Sequence, residues 1–438
     1  MQQRPGFKLL WGVMFACCAS ESLMAAPAAD QQPAVGGTSK TVHTTDDTEE
    51  FRRHDRSGAS SEVPAEWTSW MSPELADLRK QWAEAGYTLE AYLTVDSSLH
   101  PYGGAHSGSS AMRALLDAVV SIDSARAMGF ENGTLVVGVQ AFGGDNGSDE
   151  VGVLQNYSNI DAVEDRIQIN RLWYQHQWHD GETRARIGKI DANSLFAGSV
   201  NASHFIHSSM GYSPTILGIP TYPDPAFGVT LEHKLTRSLN VSAGIFDGTG
   251  HAGVKTGQHG LGSTFDRPGD TFMIAQAGYE WHDGDVPVGR VSVGVWKHTG
   301  NFARFDGGVE DGTSGLYSVI EQRFDVGGRA LDTFMQLGTA DQDVAAIKNH
   351  FGLGVTTADI FFPQYEDAAG FGISWAEVSS AAGAGFSASS ETAIELFYGA
   401  QLLPGVRIKP DVQYILNPGG DSSVDDAWVL TLRMTVSL

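Results

Sequence analysis

The stretch from Asp191 to Asp224, DANSLFAGSVNASHFIHSSMGYSPTILGIPTYPD, concentrates side chains with binding chemistry. Asn193, Ser194, Asn201, Ser203, His204, His207, Ser208, Ser209, Tyr212 and Tyr222 offer neutral hydrogen-bond donors, acceptors and aromatic faces. That set suits an uncharged, hydroxyl-rich ligand. Just before it, TRARIGKID sends Ala185 and Ile187 to one side of an extended segment and Arg184, Arg186 and Gly188 to the other, with Lys189 and Asp191 following. Arg407, Lys409, Asp411 and Gln413 alternate in the same way with Ile408 and Val412, and Arg433 does so near the end of the chain. Forked donors beside carboxylates bind hydroxyl pairs while disfavouring bare ions. Plainer readings stand beside these: Arg184 and Arg186 serve equally well as solvated charges, Asp191 as a turn cap, and NPGG at 417–420 as a turn.

Other chemistries find no support. There is no GxSxG, HExxH, CxxC or phosphate-binding loop, and no spacing of carboxylates singles out an acid and base couple. His204 and His207 are three apart, but no cysteine or paired carboxylate joins them, so no metal site is expected. No cofactor motif is present. The formal charge of −24 excludes a general nucleic-acid binder, which needs an excess of Lys and Arg.

The elements that must position these residues are strands. Around the segment the apolar period is 2: in TLEAYLTVD, Leu89, Ala91, Leu93 and Val95 oppose Glu90, Tyr92, Thr94 and Asp96. In ALLDAVVSID, Ala114, Leu116, Ala118, Val120 and Ile122 oppose Asp117, Ser121 and Asp123. In the last run Trp428, Leu430, Leu432, Met434, Val436 and Leu438 alternate with Val429, Thr431, Arg433, Thr435 and Ser437. Such runs start near 88, 114, 134, 167, 183, 227, 239, 272, 289, 316, 331, 349, 371, 392, 406 and 427. Sixteen strands, apolar on one face and polar on the other, predict a transmembrane antiparallel β-barrel over 88–438 with a water-filled lumen.

Connection lengths sort by side. Gly, Asp, Ser or Pro turns such as HDGE, TRS, HDGD, DVGG and LLPG follow even-numbered strands, while 191–224, 247–270 and 298–315 are expected as long loops after odd-numbered ones. The connection TTADIFFPQYEDAAG is too long for its side. Trp178 and Trp281, each ending a strand beside HDG, fall where an aromatic girdle belongs. The segment at about 191–226, after the fifth strand, is long enough to fold inward and constrict the lumen. A large soluble all-β protein is the competing fold, but it would have to protect edge strands that a closed barrel lacks.

The two ends of the chain set the compartment. Residues 1–28 read as an export signal: Arg4 and Lys8 precede an apolar run from Leu9 to Ala19 and an Ala-rich cleavage region. Residues 29–66 hold almost no large apolar side chains and are expected to form a disordered leader. Residues 67–87 contain a helix, capped by Ser72, with Pro73 and Glu74 in its first turn and Leu75, Leu78 and Trp82 on one face. That stripe is expected to dock at the barrel's end. Gly is 52 of 438 residues against a usual ~7%, which suits strands and turns. Both cysteines, Cys17 and Cys18, lie in the signal, so no disulfide is expected afterwards.

Several blocks are more specific than this pattern. RIGKIDANSLFAGSVNASHFIHSSMGYSP, IPTYPDPAFGVTLEH, AGIFDG and KPDVQYILNPGG resemble the signature blocks of the carbohydrate-selective outer-membrane porins of the OprB type, and WMSPELADLRKQWAEAGYTLEAYLTVD resembles the segment leading into that family's first strand. The resemblance covers Trp67 to Leu438. It implies a sixteen-stranded porin with a short periplasmic helix, passing mono- or small oligosaccharides by passive diffusion through a narrowed pore, with no reaction and no cofactor. It also implies contact with outer-membrane lipid, as a homotrimer or a monomer. The chain departs from the pattern in ending on Leu438, where such barrels often carry an aromatic residue. Within that reading Arg184, Arg186, Lys189, Asp191, Asn193, Asn201, His204, His207, Tyr222, Arg407, Asp411 and Arg433 are the candidate pore-lining residues. A barrel that is only an anchor for adhesive loops is the alternative.

Overall fold

Alternation of apolar and polar residues drives the chain into a wall one strand thick. The computed structural model describes residues 73–161, 163–256 and 270–437; the export signal, the leader, Ser72 and Leu438 lie outside them. A helix, α1 (Pro73–Glu84), leads into sixteen strands: β1 (Tyr87–Tyr102), β2 (Ser109–Asp123), β3 (Gly133–Gly144), β4 (Arg166–Trp178), β5 (Thr183–Ile190), β6 (Ala226–Lys234), β7 (Leu239–Asp247) and β8 (Thr271–Asp283) form the first half. β9 (Val286–Ala303), β10 (Val309–Val326), β11 (Arg329–Ala340), β12 (Ile347–Ala358), β13 (Ala368–Val378), β14 (Ser390–Leu403), β15 (Val406–Leu416) and β16 (Ala427–Ser437) form the second. Each strand pairs antiparallel with its sequence neighbours, and β16 pairs with β1 to close the barrel. Closure leaves no sheet edge.

The two faces separate as the period requires. On β16, Trp428, Leu430 and Leu432 are exposed while Val429, Thr431 and Arg433 are buried. The same holds on β5, where Ile187 is exposed and Arg186 is buried. Leu99, Val139, Ile167, Val229, Ile245, Val293, Leu316, Leu353, Phe371 and Leu396 continue the outward apolar surface around the barrel. In water such a surface would be unstable; against hydrocarbon it costs nothing. Trp178 is exposed at the end of β4, and the Trp281 indole N–H donates to Gln322 at 2.7 Å near the end of β8.

Connections at one end are short: 179–182, 235–238, 284–285, 327–328 and 404–405. The helix enters from this end, and its Arg79 guanidinium donates to the Leu89 carbonyl at 3.2 Å. Leu75, Leu78 and Trp82 keep 43, 42 and 41% of their surface exposed, so among the described residues little covers the stripe. One of the longer connections at this end, 359–367, is organised by one side chain. The Asp367 carboxylate accepts from the N–H groups of Ile360, Phe361 and Phe362 at 2.9 to 3.1 Å and from the Tyr398 hydroxyl at 2.9 Å. The turn so formed presents Phe361, Phe362 and Tyr365 outward, where aromatic rings suit a membrane interface.

One expected loop is instead strand. Most of 298–315 continues β9 and β10, paired as far as Ala303 with Val309, leaving only 304–308 as a turn. Arg304 closes it by donating to Asp306, Glu310 and Asp343 at 3.2, 2.8 and 2.9 Å. These strand ends are polar on both faces, so the alternation that marks a lipid-facing strand is lost there. β2 likewise begins at Ser109, ahead of the apolar run.

Candidate functional site

The segment 191–225 leaves the wall at β5 and runs across the lumen. Gly188, with φ +135°, lets the strand end turn; a side chain there would strike the Leu172 carbonyl of β4. Asp191 caps a short turn at Ala192–Ser194, accepting from the Asn193 N–H at 3.0 Å. Beyond it, Phe196, Ala197 and Ile216 pack with Phe246, Phe272, Ile274, Trp296 and Tyr317 from the inner face of β7 to β10. An apolar patch on the lumen side of a water-filled barrel is thereby covered by the loop.

Wall carboxylates then catch the loop backbone. Glu321 of β10 accepts from the Ser199 hydroxyl at 2.9 Å and the Asn201 N–H at 2.7 Å, and is paired with Arg290. Asn201 also donates its amide to the Thr333 carbonyl at 2.9 Å. Phe205 stands edge-on to Phe334 and Phe397, with ring centroids 5.5 and 5.1 Å away. Glu395 of β14 accepts from the N–H groups of Ile206 and His207 at 2.6 and 3.1 Å, and Lys409 of β15 donates to the His204 carbonyl. Buried backbone donors that would otherwise be orphaned are thus satisfied by side-chain carboxyl oxygens of the wall.

A second loop, 145–165 between β3 and β4, also folds inward. This loop, which opens with a short helix at Gly147–Val151, brings Val151 and Tyr157 against Ala393, Ile415, Ala427 and Val429. Glu391 of β14 accepts from the N–H groups of Leu154, Gln155 and Gly419 at 2.8, 2.8 and 2.7 Å. Arg113 of β2 is buried, ion-paired with Asp161, and lies over the Tyr157 ring at 4.7 Å. Burial pushes the Asp161 carboxyl upward, and the Arg113 guanidinium opposes that shift. Ser158 donates to Asp96 at 2.7 Å, joining the loop to the strand pair that closes the barrel.

The two loops meet in the lumen. The Asn159 N–H donates to the Ile206 carbonyl at 2.8 Å, the Ser208 N–H to the Asn156 carbonyl at 3.0 Å, and the Tyr222 hydroxyl to the Ile160 carbonyl at 3.1 Å. Between them lies a cavity of about 300 Å³, and every described residue lining it belongs to one loop or the other. Asn156, Ser158, Asn159 and Asp161 come from 145–165; Asp191, Asn193, Ser203, Tyr212 and Tyr222 are among those from 191–225. Burial raises the Tyr212 phenol to about 12, so both tyrosines present neutral hydroxyls. The surface is amides, hydroxyls, aromatic faces and the carboxyl groups of Asp161 and Asp191, matched to a polyhydroxylated molecule a few heavy atoms across.

Of the candidates read from sequence, Asp191, Asn193 and Tyr222 line this cavity. Asn201, His204 and His207 sit where their loop is fixed to the wall. Both His207 ring nitrogens are buried without a hydrogen-bond partner among the described residues, and burial holds its pKa at about 3. Arg186 donates to Gln175 at 2.5 Å and lies over the Trp173 ring at 4.4 Å, while Arg184 faces Glu232 across the β5–β6 pair. The Lys189 ammonium donates to the Thr256 carbonyl at 2.8 Å, and Arg407 donates to the Glu366 carbonyl at 3.0 Å in the short-end turn. Asp411 accepts from Gln413 at 3.0 Å, and Arg433 forms a two-point pair with Asp96 at 2.7 and 2.8 Å. The sequence reading missed the contribution of 145–165. Its run QNYSN has the same short, neutral, polar character as the later loop, which was the available signal.

A closed sixteen-stranded barrel, apolar outside and narrowed by inward loops, defines the class of the channel-forming porins. A family model described as carbohydrate-selective porin, OprB family, matches residues 109–438, and the chain belongs to that family. Among solved structures it is similar to the high-pH structure of Pseudomonas putida OprB, with 17% identity and a TM-score of 0.74 over 84% of this chain and 98% of that one. The low-pH structure of the same protein gives 15% identity and a TM-score of 0.55 over 84% and 98%. Salmonella typhi OmpF, in a complex with daunomycin, gives 10% identity and a TM-score of 0.51 over 81% and 99%. At these identities the likeness is one of fold. A comparison with curated protein sequences finds no match.

Proposed function

We propose that this porin gives small sugars passive passage across the outer membrane into the periplasm, through the opening between loops 145–165 and 191–225. The observation that carries the reading is the cavity itself: amides, hydroxyls, two tyrosines and two aspartates, with the described lining residues on loops anchored to the wall. A millimolar interaction is worth about −4 kcal/mol, a few hydrogen bonds and a stacking face, which retains a sugar briefly and then releases it. Asp191, Asn193 and Tyr222 are the proposed contacts in the opening. Arg184 and Arg186, on the lumen face of β5, are proposed to meet the sugar on the way to the short-turn end, which is the periplasmic side in barrels of this layout. The exposed apolar band is proposed to face outer-membrane lipid after the export signal is removed. Whether that band is shared in a homotrimer or bathed in a monomer does not alter the passage through each barrel.

The reading is tested by liposome swelling. Vesicles carrying the protein should swell in an isotonic monosaccharide and much more slowly in a large oligosaccharide. Vesicles that stay at the protein-free rate would show a sealed barrel, as an anchor requires.

A further inference from the structure

The charged groups at the opening are unequal. Asp161 and Asp191 line the cavity, and among the described residues no Lys, Arg or His does. Asp161 is compensated: it is paired with the Arg113 guanidinium and also accepts from the Ser148 N–H at 3.2 Å and from the Ser148 hydroxyl. Asp191 is not. Among the described residues its carboxylate accepts one hydrogen bond, from the neutral Asn193 N–H, and no cation lies within ion-pair distance.

The cations behind the lining are already matched. Arg433 is paired with Asp96, Arg166 with Glu164 and Asp224, and Lys255 with Glu164. Lys189, two residues before Asp191, is buried with its ammonium on the Thr256 carbonyl and is not part of the lining. Among the described residues, a solute in the opening therefore meets one uncompensated negative charge at contact distance, with the nearest positive charges neutralised or covered.

We propose that Asp191 is the specificity-determining residue of the opening, making it prefer cations over anions and admit neutral and amino sugars while discriminating against acidic sugars and sugar phosphates. This rests on the reading of the barrel as a sugar channel and adds the charge class of its substrates. A unit charge about 5 Å from a carboxylate in water changes its local population roughly fourfold. The preference should fade as salt rises and the screening length shrinks to about 10 Å at 0.1 M.

The experiment measures the reversal potential of the protein in planar bilayers under a gradient of dilute KCl, and swelling rates in 2-amino-2-deoxyglucose, glucose and gluconate. Wild type should favour K⁺ over Cl⁻ and pass the amino sugar fastest and gluconate slowest. Asp191→Asn keeps a capping side chain, since Asn caps as well as Asp, and should lower the K⁺/Cl⁻ ratio roughly sixteenfold, fourfold from each ion, while the barrel still migrates as folded. Asp191→Glu should keep the wild-type ratio. A channel that conducts and passes glucose but prefers Cl⁻, or whose ratio is unchanged by Asp191→Asn, overturns this inference and leaves the sugar-channel reading standing. A barrel with no conductance overturns both.

Discussion

Arg433 grips Asp96 at two points, 2.7 and 2.8 Å, in the strand pair where the last strand meets the first. Both side chains are nearly fully buried, and Ser158 of loop 145–165 donates to the same carboxylate. One ion pair thus locks the seam of the barrel and tethers a constricting loop to it.

Removing one partner of a buried pair costs about 3 to 5 kcal/mol, because the other charge is left uncompensated. Asp96→Asn should therefore lower the temperature at which the folded, fast-migrating form converts to the unfolded band on electrophoresis. An unchanged temperature would mean that the seam is held by its backbone ladder alone.

Glu395 holds the backbone of Ile206 and His207. A buried hydrogen bond is worth about 0.5 to 1.5 kcal/mol, and leaving a buried donor unpaired costs about 1 to 3 kcal/mol. Glu395→Gln should loosen the loop without opening the wall, seen as higher and noisier single-channel conductance and faster cleavage of the loop by added protease.

His207 makes the same loop sensitive to acid. Its folded-state pKa is held at about 3 by burial, below the usual 6.5, so the released loop binds the proton and the docked loop does not. Docking is therefore at full strength above about pH 6.5 and weakens as pH falls toward 3, by about 2 kcal/mol at pH 5. Conductance noise should rise between pH 7 and pH 5. In His207→Leu, which exchanges an unpartnered imidazole for an apolar group, that rise should vanish.

Tyr222 lines the opening and bridges the two loops through its hydroxyl. Tyr222→Phe removes only the bridge, about 1 kcal/mol. Tyr222→Ala also removes the ring, and should raise conductance while weakening sugar block about three- to tenfold, the equivalent of about 0.7 to 1.4 kcal/mol. Equal effects of the two changes would take the ring out of the sugar path.

The wall was legible because lipid on one side and water on the other impose a strict period of 2, as in Trp428 to Arg433. The period fails where strands leave the membrane, which hid the ends of β9 and β10. The constriction was half legible. Residues 191–224 stood out as a long interruption rich in Asn, Ser, His and Tyr. Loop 145–165 did not, because its inward fold depends on distant partners such as Glu391, 236 residues from Gln155. Arg433 and Lys409 were placed on the lumen face, but alternation says nothing of whether a lumen charge meets solute or holds a loop, and the partner Asp96 is 337 residues away.

Passage of sugar through the opening between the two loops is tested most directly by single-channel current in the presence of sugar. Ions and sugar would share that opening, so millimolar monosaccharide should reduce the wild-type current in a saturable way, and Tyr222→Ala should shift the half-blocking concentration upward. A current that sugar leaves unchanged at any concentration, or a barrel that carries no current, would contradict the account.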